Sequence, residues 1–131
     1  MERNEKTRAL LAAFGCALAY LLAGKALTAV LPQVPEEAAR MWAFVHRCAA
    51  APIVEELVFR GAIQQLARPL GERQAVALQA VLFAVQHRGP EGMAYALVCG
   101  LVLGTIRSRT GSVWPGMLLH TLNNLLVFAA G

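Results

Sequence analysis

Residues 52–61 read Pro-Ile-Val-Glu-Glu-Leu-Val-Phe-Arg-Gly, so two glutamates and an arginine lie inside an otherwise apolar segment. An ionisable side chain at the centre of a bilayer costs at least ~2.5–3.5 kcal/mol, so it usually faces a protein interior or a water-filled cavity. Glu56 and Arg60 are four residues apart with the acid first, the favourable order for an ion pair on one helix face. Glu55 points about 100° away from Glu56. The stretch therefore predicts a membrane helix with a structural ion pair, Glu56–Arg60, and one acid, Glu55, that lacks a local cation.

The whole chain has the composition of a membrane protein. Of its 131 residues, 57% are hydrophobic and 15% are charged, compared with roughly 45–50% and about 25% in soluble domains. The apolar residues fall in blocks long enough to cross a bilayer, which takes about 20 residues. We predict one all-α domain, a polytopic membrane bundle of five helices at about 9–31, 41–67, 73–87, 92–106 and 113–129. Residues 1–40 form the first helix and its connector, and residues 41–131 form a four-helix catalytic core.

The formal net charge of +4 does not indicate a nucleic-acid partner. The basic residues lie in short connectors, and no connector is long enough to read a groove. Seven connector cations fall on one side of the predicted bundle and two on the other, which predicts a cytoplasmic N-terminus. The seven are Arg3, Lys6, Arg8, Arg68, Arg73, Arg107 and Arg109, and the two are Arg40 and Arg88.

Two other predicted helices also carry polar side chains. The third ends with Phe83-Ala-Val-Gln-His87, and the fifth contains His120-Thr-Leu-Asn-Asn124. His120 and Asn124 are one turn apart on one face, so they offer a developing oxyanion two hydrogen-bond donors. Asn123 lies about 100° round the helix from Asn124. The fifth helix thus predicts an oxyanion site made by His120 and Asn124.

His87 ends its predicted helix where it can reach water and Glu55 together. A desolvated carboxylate without a cation suits a general base that works near neutrality. Glu55 and His87 can then activate a water, while His120 and Asn124 hold the carbonyl oxygen. This predicts a hydrolytic site. Taken singly, His87 also fits an interfacial histidine, and His120 fits a hydrogen-bonded core histidine.

The three motifs together resemble the CPBP family, the CAAX protease and bacteriocin-processing group, also described as Abi or type II CAAX prenyl endopeptidase-like. The resemblance rests on Glu-Glu-x-x-x-Arg at 55–60, Phe-x-x-x-His at 83–87 and His-x-x-x-Asn at 120–124, in that order. It implies an intramembrane endopeptidase whose first glutamate and first histidine activate water. The second histidine and the asparagine would stabilise the oxyanion. These roles correspond to Glu55, His87, His120 and Asn124.

The same resemblance leaves the metal question open, because the family has been described both as metal-dependent and as glutamate-type. The chain has no His-Glu-x-x-His motif, so we expect a metal-free mechanism with no cofactor. The alternative is a zinc ion held by Glu55, His87 and His120 with one open position.

The partners implied are the lipid bilayer and a membrane-associated peptide or protein. Only one predicted helix precedes the helix that contains Glu55 and Glu56, whereas family members commonly carry more, so a homo-oligomer or a helper membrane protein could complete the bundle. The resemblance points to a bacterial inner membrane and to processing of a peptide, a leader or a C-terminal sorting signal. The competing hypothesis is a non-catalytic membrane scaffold or immunity protein. Convergence of Glu55, His87 and His120 would favour the enzyme.

Overall fold

The structure, a computed structural model, describes residues 2–30 and 34–131 and contains only helices and short connections in those ranges. Helix α1 covers Glu2–Val30. Residues 36–66 then form one unbroken helical run, here called the motif helix. Its successive segments are α2 (Glu36–Val45), a π-helical segment (His46–Ala50), α3 (Ala51–Glu55), a second π-helical segment (Glu56–Ile63) and α4 (Gln64–Leu66).

A short 3₁₀ turn (Arg68–Leu70) leads from the motif helix into α5 (Glu72–Ala84), which is followed by α6 (Gly89–Thr110) and α7 (Trp114–Ala130). With the motif helix counted as one element, the described part of the chain has five helices, and the prediction of an all-α five-helix fold is confirmed.

Several helix ends differ from their predicted positions. Helix α1 already begins at Glu2, where an ion pair of 2.6 Å between Lys6 and Glu2 supports its first turn. Helix α5 ends at Ala84, three residues before the predicted end, so His87 lies in the turn that follows. That turn leads to Gly89, whose φ of 72° is left-handed. The predicted end of the first helix at Leu31 lies outside the described residues.

The outer surface of the bundle is apolar, as a lipid environment requires. Large hydrophobic side chains are exposed on several helices, among them Leu11 on α1 and Leu118 on α7 at 69% and 71%. Within the described ranges, two helical stretches are long and apolar enough to cross a membrane, Glu2–Ala29 and Gly89–Thr110. These two candidate spans agree with the predicted membrane class.

Helices α5 and α6 pack closely because glycines line their contact. A Cβ atom added to Gly100 would lie 2.9 Å from both Cα and Cβ of Ala80, so only glycine allows this approach. The Gln79 amide donates to the Gly100 carbonyl at 2.7 Å, and the Gln64 amide donates to the Gly104 carbonyl at 2.9 Å. Gln64 thus also ties this hairpin to the motif helix.

Helix α1 packs against the motif helix through a stripe of alanines. Its buried residues include Ala9, Ala13 and Ala17. Beyond them, the Tyr20 ring meets Phe59 edge-on, with centroids 5.4 Å apart, and Phe59 in turn meets Phe83 of α5 at 5.2 Å. Phe83 in this aromatic cluster also contacts the rings of His87 and His120.

Candidate active site

His120 of α7 brings the two glutamates of the motif helix together. Its Nδ1 lies 2.9 Å from Glu56 Oε1, and its Nε2 lies 3.5 Å from Glu55 Oε2. Glu55 ends α3 and Glu56 begins the π-helical segment. We expected only Glu55 to meet the histidines, because an α-helix separates neighbouring side chains by about 100°. In the structure one imidazole reaches both acids, since its two nitrogens point in different directions.

Glu56 and Arg60 form the predicted ion pair, with Arg60 Nη1 3.1 Å from Glu56 Oε1 and both side chains fully buried. The Arg60 guanidinium also lies 4.4 Å from the centroid of the Phe83 ring, which favours the cation further. Helix α7 approaches this pair through Gly116, where an added Cβ atom would lie 2.8 Å from Glu56 Oε2. The small residue therefore allows His120 to reach the pair.

His87 is oriented by a backbone carbonyl. Its Nδ1 lies 3.0 Å from the Phe83 carbonyl oxygen. A carbonyl can only accept a hydrogen bond, so Nδ1 carries the hydrogen and the neutral ring keeps the Nε2 lone pair available. The Phe83 ring meets His87 edge-on at 4.7 Å and His120 at 5.8 Å. Phe83 thus lies between the two histidines and limits their rotation.

His120 is oriented by a carboxylate. The Glu56 carboxylate is an acceptor, so His120 Nδ1 donates to it, and Nε2 is the nitrogen that faces Glu55. A carboxylate that fixes one imidazole nitrogen determines what the other can do. His120 Nε2 can accept a proton or, when it carries one, donate it to an oxygen in the site.

Two cavities meet at Glu55 and His87. The first, of about 810 Å³, lies between the motif helix, α5, α6 and α7, and its lining includes His120 and Asn124. The second, of about 730 Å³, lies between α1, the motif helix and α5. Glu55, His87 and Phe83 line both cavities. The acid and the histidine are therefore accessible from two sides of the motif helix.

Asn124 lines the first cavity, but part of its amide is already hydrogen-bonded. Its Nδ2 donates to the Arg47 carbonyl oxygen at 2.8 Å. Its Oδ1 accepts from Asn123 Nδ2 at 3.4 Å, and Asn123 Oδ1 accepts from the Tyr95 hydroxyl at 2.5 Å. Sequence reasoning missed Tyr95, because an aromatic residue on an apolar helix is most simply a lipid-facing one. It also placed Asn123 away from the site, although both asparagines line the same cavity.

The side-chain positions do not form a metal site. Within the ranges that the structure describes, no three His, Cys, Asp or Glu side chains are arranged so that they could hold a metal ion. The alternative set of Glu55, His87 and His120 does not fit a metal as it stands, and we derive no step from one.

One comparison with known proteins identifies a family. The family model described as type II CAAX prenyl endopeptidase Rce1-like matches residues 37–126, which is well over half of the chain. The matched region runs from the start of the motif helix into α7 and contains all three motifs. No curated protein and no solved structure matches the chain.

Proposed function

Because this chain belongs to the Rce1-like family of type II CAAX prenyl endopeptidases, we propose that it is an intramembrane endopeptidase whose catalytic residues are Glu55, His87, His120 and Asn124. The family is a protease family, and it corresponds to the resemblance that the three motifs indicated. The proposal goes beyond family membership in assigning a role to each of the four side chains and in placing the reaction within the membrane.

The observation that carries the proposal is the position of Glu55 and His87 at the junction of two cavities. An endopeptidase must hold chain on both sides of the bond it cleaves. A single closed pocket would suit a small molecule or one end of a peptide. Cavities that meet at a carboxylate and an imidazole leave room for an extended segment on each side, so the scissile bond would lie at Glu55 and His87.

Water activation falls to Glu55 and His87. The Nε2 lone pair of His87 is free, because its Nδ1 hydrogen is bound to the Phe83 carbonyl. A proton leaves the water for the Glu55 carboxylate, while His87 Nε2 accepts a hydrogen bond from the water's second hydrogen, as the water oxygen bonds to the peptide carbonyl carbon. The same proton then passes to the leaving nitrogen as the carbon–nitrogen bond breaks. One product has a new carboxyl group and the other has a new amine.

The carbonyl oxygen becomes negative when water adds, and Asn124 would stabilise it together with His120 in its doubly protonated form, whose Nε2 carries the hydrogen that it donates. His120 Nε2 faces the site, and its ring is held by Glu56. Asn124 Nδ2 has two hydrogens, of which the Arg47 carbonyl binds one. Preorganised donors of this type contribute more than donors that must first reorient. Glu56 and Arg60 act on the reaction only through the orientation of His120.

We propose an integral protein of the bacterial inner membrane with its N-terminus in the cytoplasm, as the connector charges indicate. Its substrate would be a membrane-associated peptide or protein, such as a leader peptide or a C-terminal sorting signal. The exposed apolar surface and two candidate spans support a membrane location. A second copy or a helper membrane protein would shield the cavities from lipid.

The test compares protein termini in cells that express the wild-type chain, Glu55→Gln or Glu91→Gln. Glu91 is an exposed acid in the first turn of α6 and serves as the matched control. We expect new N-termini in the wild-type and Glu91→Gln cells that disappear with Glu55→Gln. Those termini would name the substrate and the scissile bond. Identical sets of termini in all three would refute the protease and favour the scaffold.

A further inference from the structure

We propose that Asn123 and Tyr95 are positioning residues, which hold the Asn124 carboxamide so that its second N–H faces the substrate oxyanion. The inference rests on the proposed function, because it assigns the oxyanion to the site at Glu55. It adds two residues that the catalytic motifs do not include. Three helical elements take part: the motif helix supplies a carbonyl, α7 supplies both asparagines, and α6 supplies the tyrosine.

The orientation of the Asn124 amide follows from its partners. The Arg47 carbonyl only accepts, so the group beside it at 2.8 Å is the Nδ2 donor. The Asn124 Oδ1 must then accept, and Asn123 Nδ2 is the donor that reaches it at 3.4 Å. Two hydrogen bonds on opposite sides of a planar amide fix its plane. The remaining Nδ2 hydrogen then has one direction, and Asn124 lines the cavity that contains His120 and Glu55.

Pro52 explains why the Arg47 carbonyl is available. Around Arg47 the helix is π-helical, and the Ala51 N–H donates to the His46 carbonyl five residues back. The next donor in this pattern would be residue 52, which would bind the Arg47 carbonyl. Residue 52 is proline and has no N–H. The Asn124 side chain therefore satisfies a carbonyl that the helix itself leaves open.

Tyr95 closes the other end of the chain of hydrogen bonds. Its hydroxyl donates to Asn123 Oδ1 at 2.5 Å across the first cavity. This bond determines which end of the Asn123 amide faces Asn124, because Oδ1 turns toward the hydroxyl and Nδ2 turns toward Asn124. Without the hydroxyl, the Asn123 amide can turn over, and two oxygens could then face each other. The tyrosine therefore acts on Asn124 through Asn123.

Kinetics provide the first test, on a fluorogenic peptide with the cleavage sequence that the termini experiment defines. Asn123→Ala should lower kcat roughly 10²-fold, the effect of a misplaced catalytic group, with little change in KM. Tyr95→Phe should lower kcat about tenfold, as expected for the loss of one neutral hydrogen bond. Glu91→Gln, an exposed change on the same helix α6, should leave kcat unchanged.

A double variant separates positioning from general damage. If Asn123 acts through Asn124, adding Asn123→Ala to Asn124→Ala should reduce kcat no further, because the group that it positions is already gone. A full additional loss in the double variant would show a merely structural role and overturn the inference. So would an Asn123→Ala enzyme with wild-type kcat.

A spectroscopic measurement tests the hydrogen-bond chain without activity. The sequence has three asparagines, Asn4, Asn123 and Asn124, so ¹⁵N-asparagine labelling gives few side-chain signals in micelles. Tyr95→Phe should shift the carboxamide signals of Asn123 and Asn124 and leave that of Asn4 in place. Unchanged signals would overturn the chain of hydrogen bonds.

The two tests also distinguish this inference from the proposed function. A wild-type enzyme no more active than Glu55→Gln would refute the protease, whatever the asparagine signals show. An active wild type with unshifted signals or unaffected Asn123→Ala kinetics would refute only the positioning role.

Discussion

The buried pair Glu56–Arg60 offers the sharpest test of how structural and catalytic acids divide in this site. Glu56→Gln keeps the shape of the side chain and an oxygen that can accept from His120. It removes the negative charge beside Arg60, whose side chain has no exposed surface. Glu55→Gln is the matched change one residue away, because it removes a charge from an acid that no cation pairs within the motif helix.

The expected magnitudes differ because only one change leaves a buried charge alone. Removing one partner of a buried pair costs about 3–5 kcal/mol, since the other charge stays desolvated. That is a large share of the roughly 5–15 kcal/mol by which proteins are stable. Contact with the Phe83 ring offsets only part of it, since a desolvated cation–π contact is worth about 2 kcal/mol. We expect Glu55→Gln to be inactive but folded and Glu56→Gln to lose much of its folded yield.

The double variant Glu56→Gln with Arg60→Met completes the test, because replacing a whole buried pair with uncharged side chains is often neutral. It should recover most of the stability that Glu56→Gln loses. The assay is the thermal unfolding midpoint and the monodisperse fraction of each variant in one detergent. The reasoning is refuted if Glu56→Gln is as stable as Glu55→Gln, or if the double variant is no more stable than Glu56→Gln.

Three further predictions follow from the helix contacts. Asn124→Ala should lower kcat by roughly 10²–10³-fold, as for one lost oxyanion donor. Asn124→Asp should lower kcat more, because a carboxylate repels the oxyanion, and equal kcat values for the two variants would contradict this. Gly100→Ala should lower the thermal midpoint because its Cβ atom meets Ala80, whereas Gly15→Ala, with open space around it, should not. Reporter fusions should place the N-terminus in the cytoplasm and the C-terminus outside, and both termini on one side would refute five spans.

The sequence predicted what depends on local spacing. Glu56 and Arg60 meet because they are four residues apart on one helix. The five helices follow from blocks of apolar residues, although α1 begins earlier and α5 ends earlier than predicted. Each of these features needs only neighbours in the chain.

The contacts of His120 and Asn124 could not be predicted in the same way. His120 and Glu56 are 64 residues apart, and Asn124 and Arg47 are 77 apart. Both contacts depend on how α7 docks against the motif helix. They also depend on π-helical segments, which change the direction of side chains relative to the 100° spacing that we assumed. The sequence shows Pro52, but it does not show that Asn124 binds the Arg47 carbonyl that this proline leaves without a helical partner.

The Arg47 carbonyl, which accepts its hydrogen bond from another helix, has a consequence for biogenesis. During synthesis the motif helix enters the membrane long before α7 has left the ribosome, and Glu56 with Arg60 can neutralise each other at once because both belong to the same segment. The Arg47 carbonyl and the Glu56 oxygen that contacts His120 gain these α7 partners only when α7 docks. A nascent chain therefore inserts with Glu56 and Arg60 paired, and the proposed active site is complete only after α7 has docked.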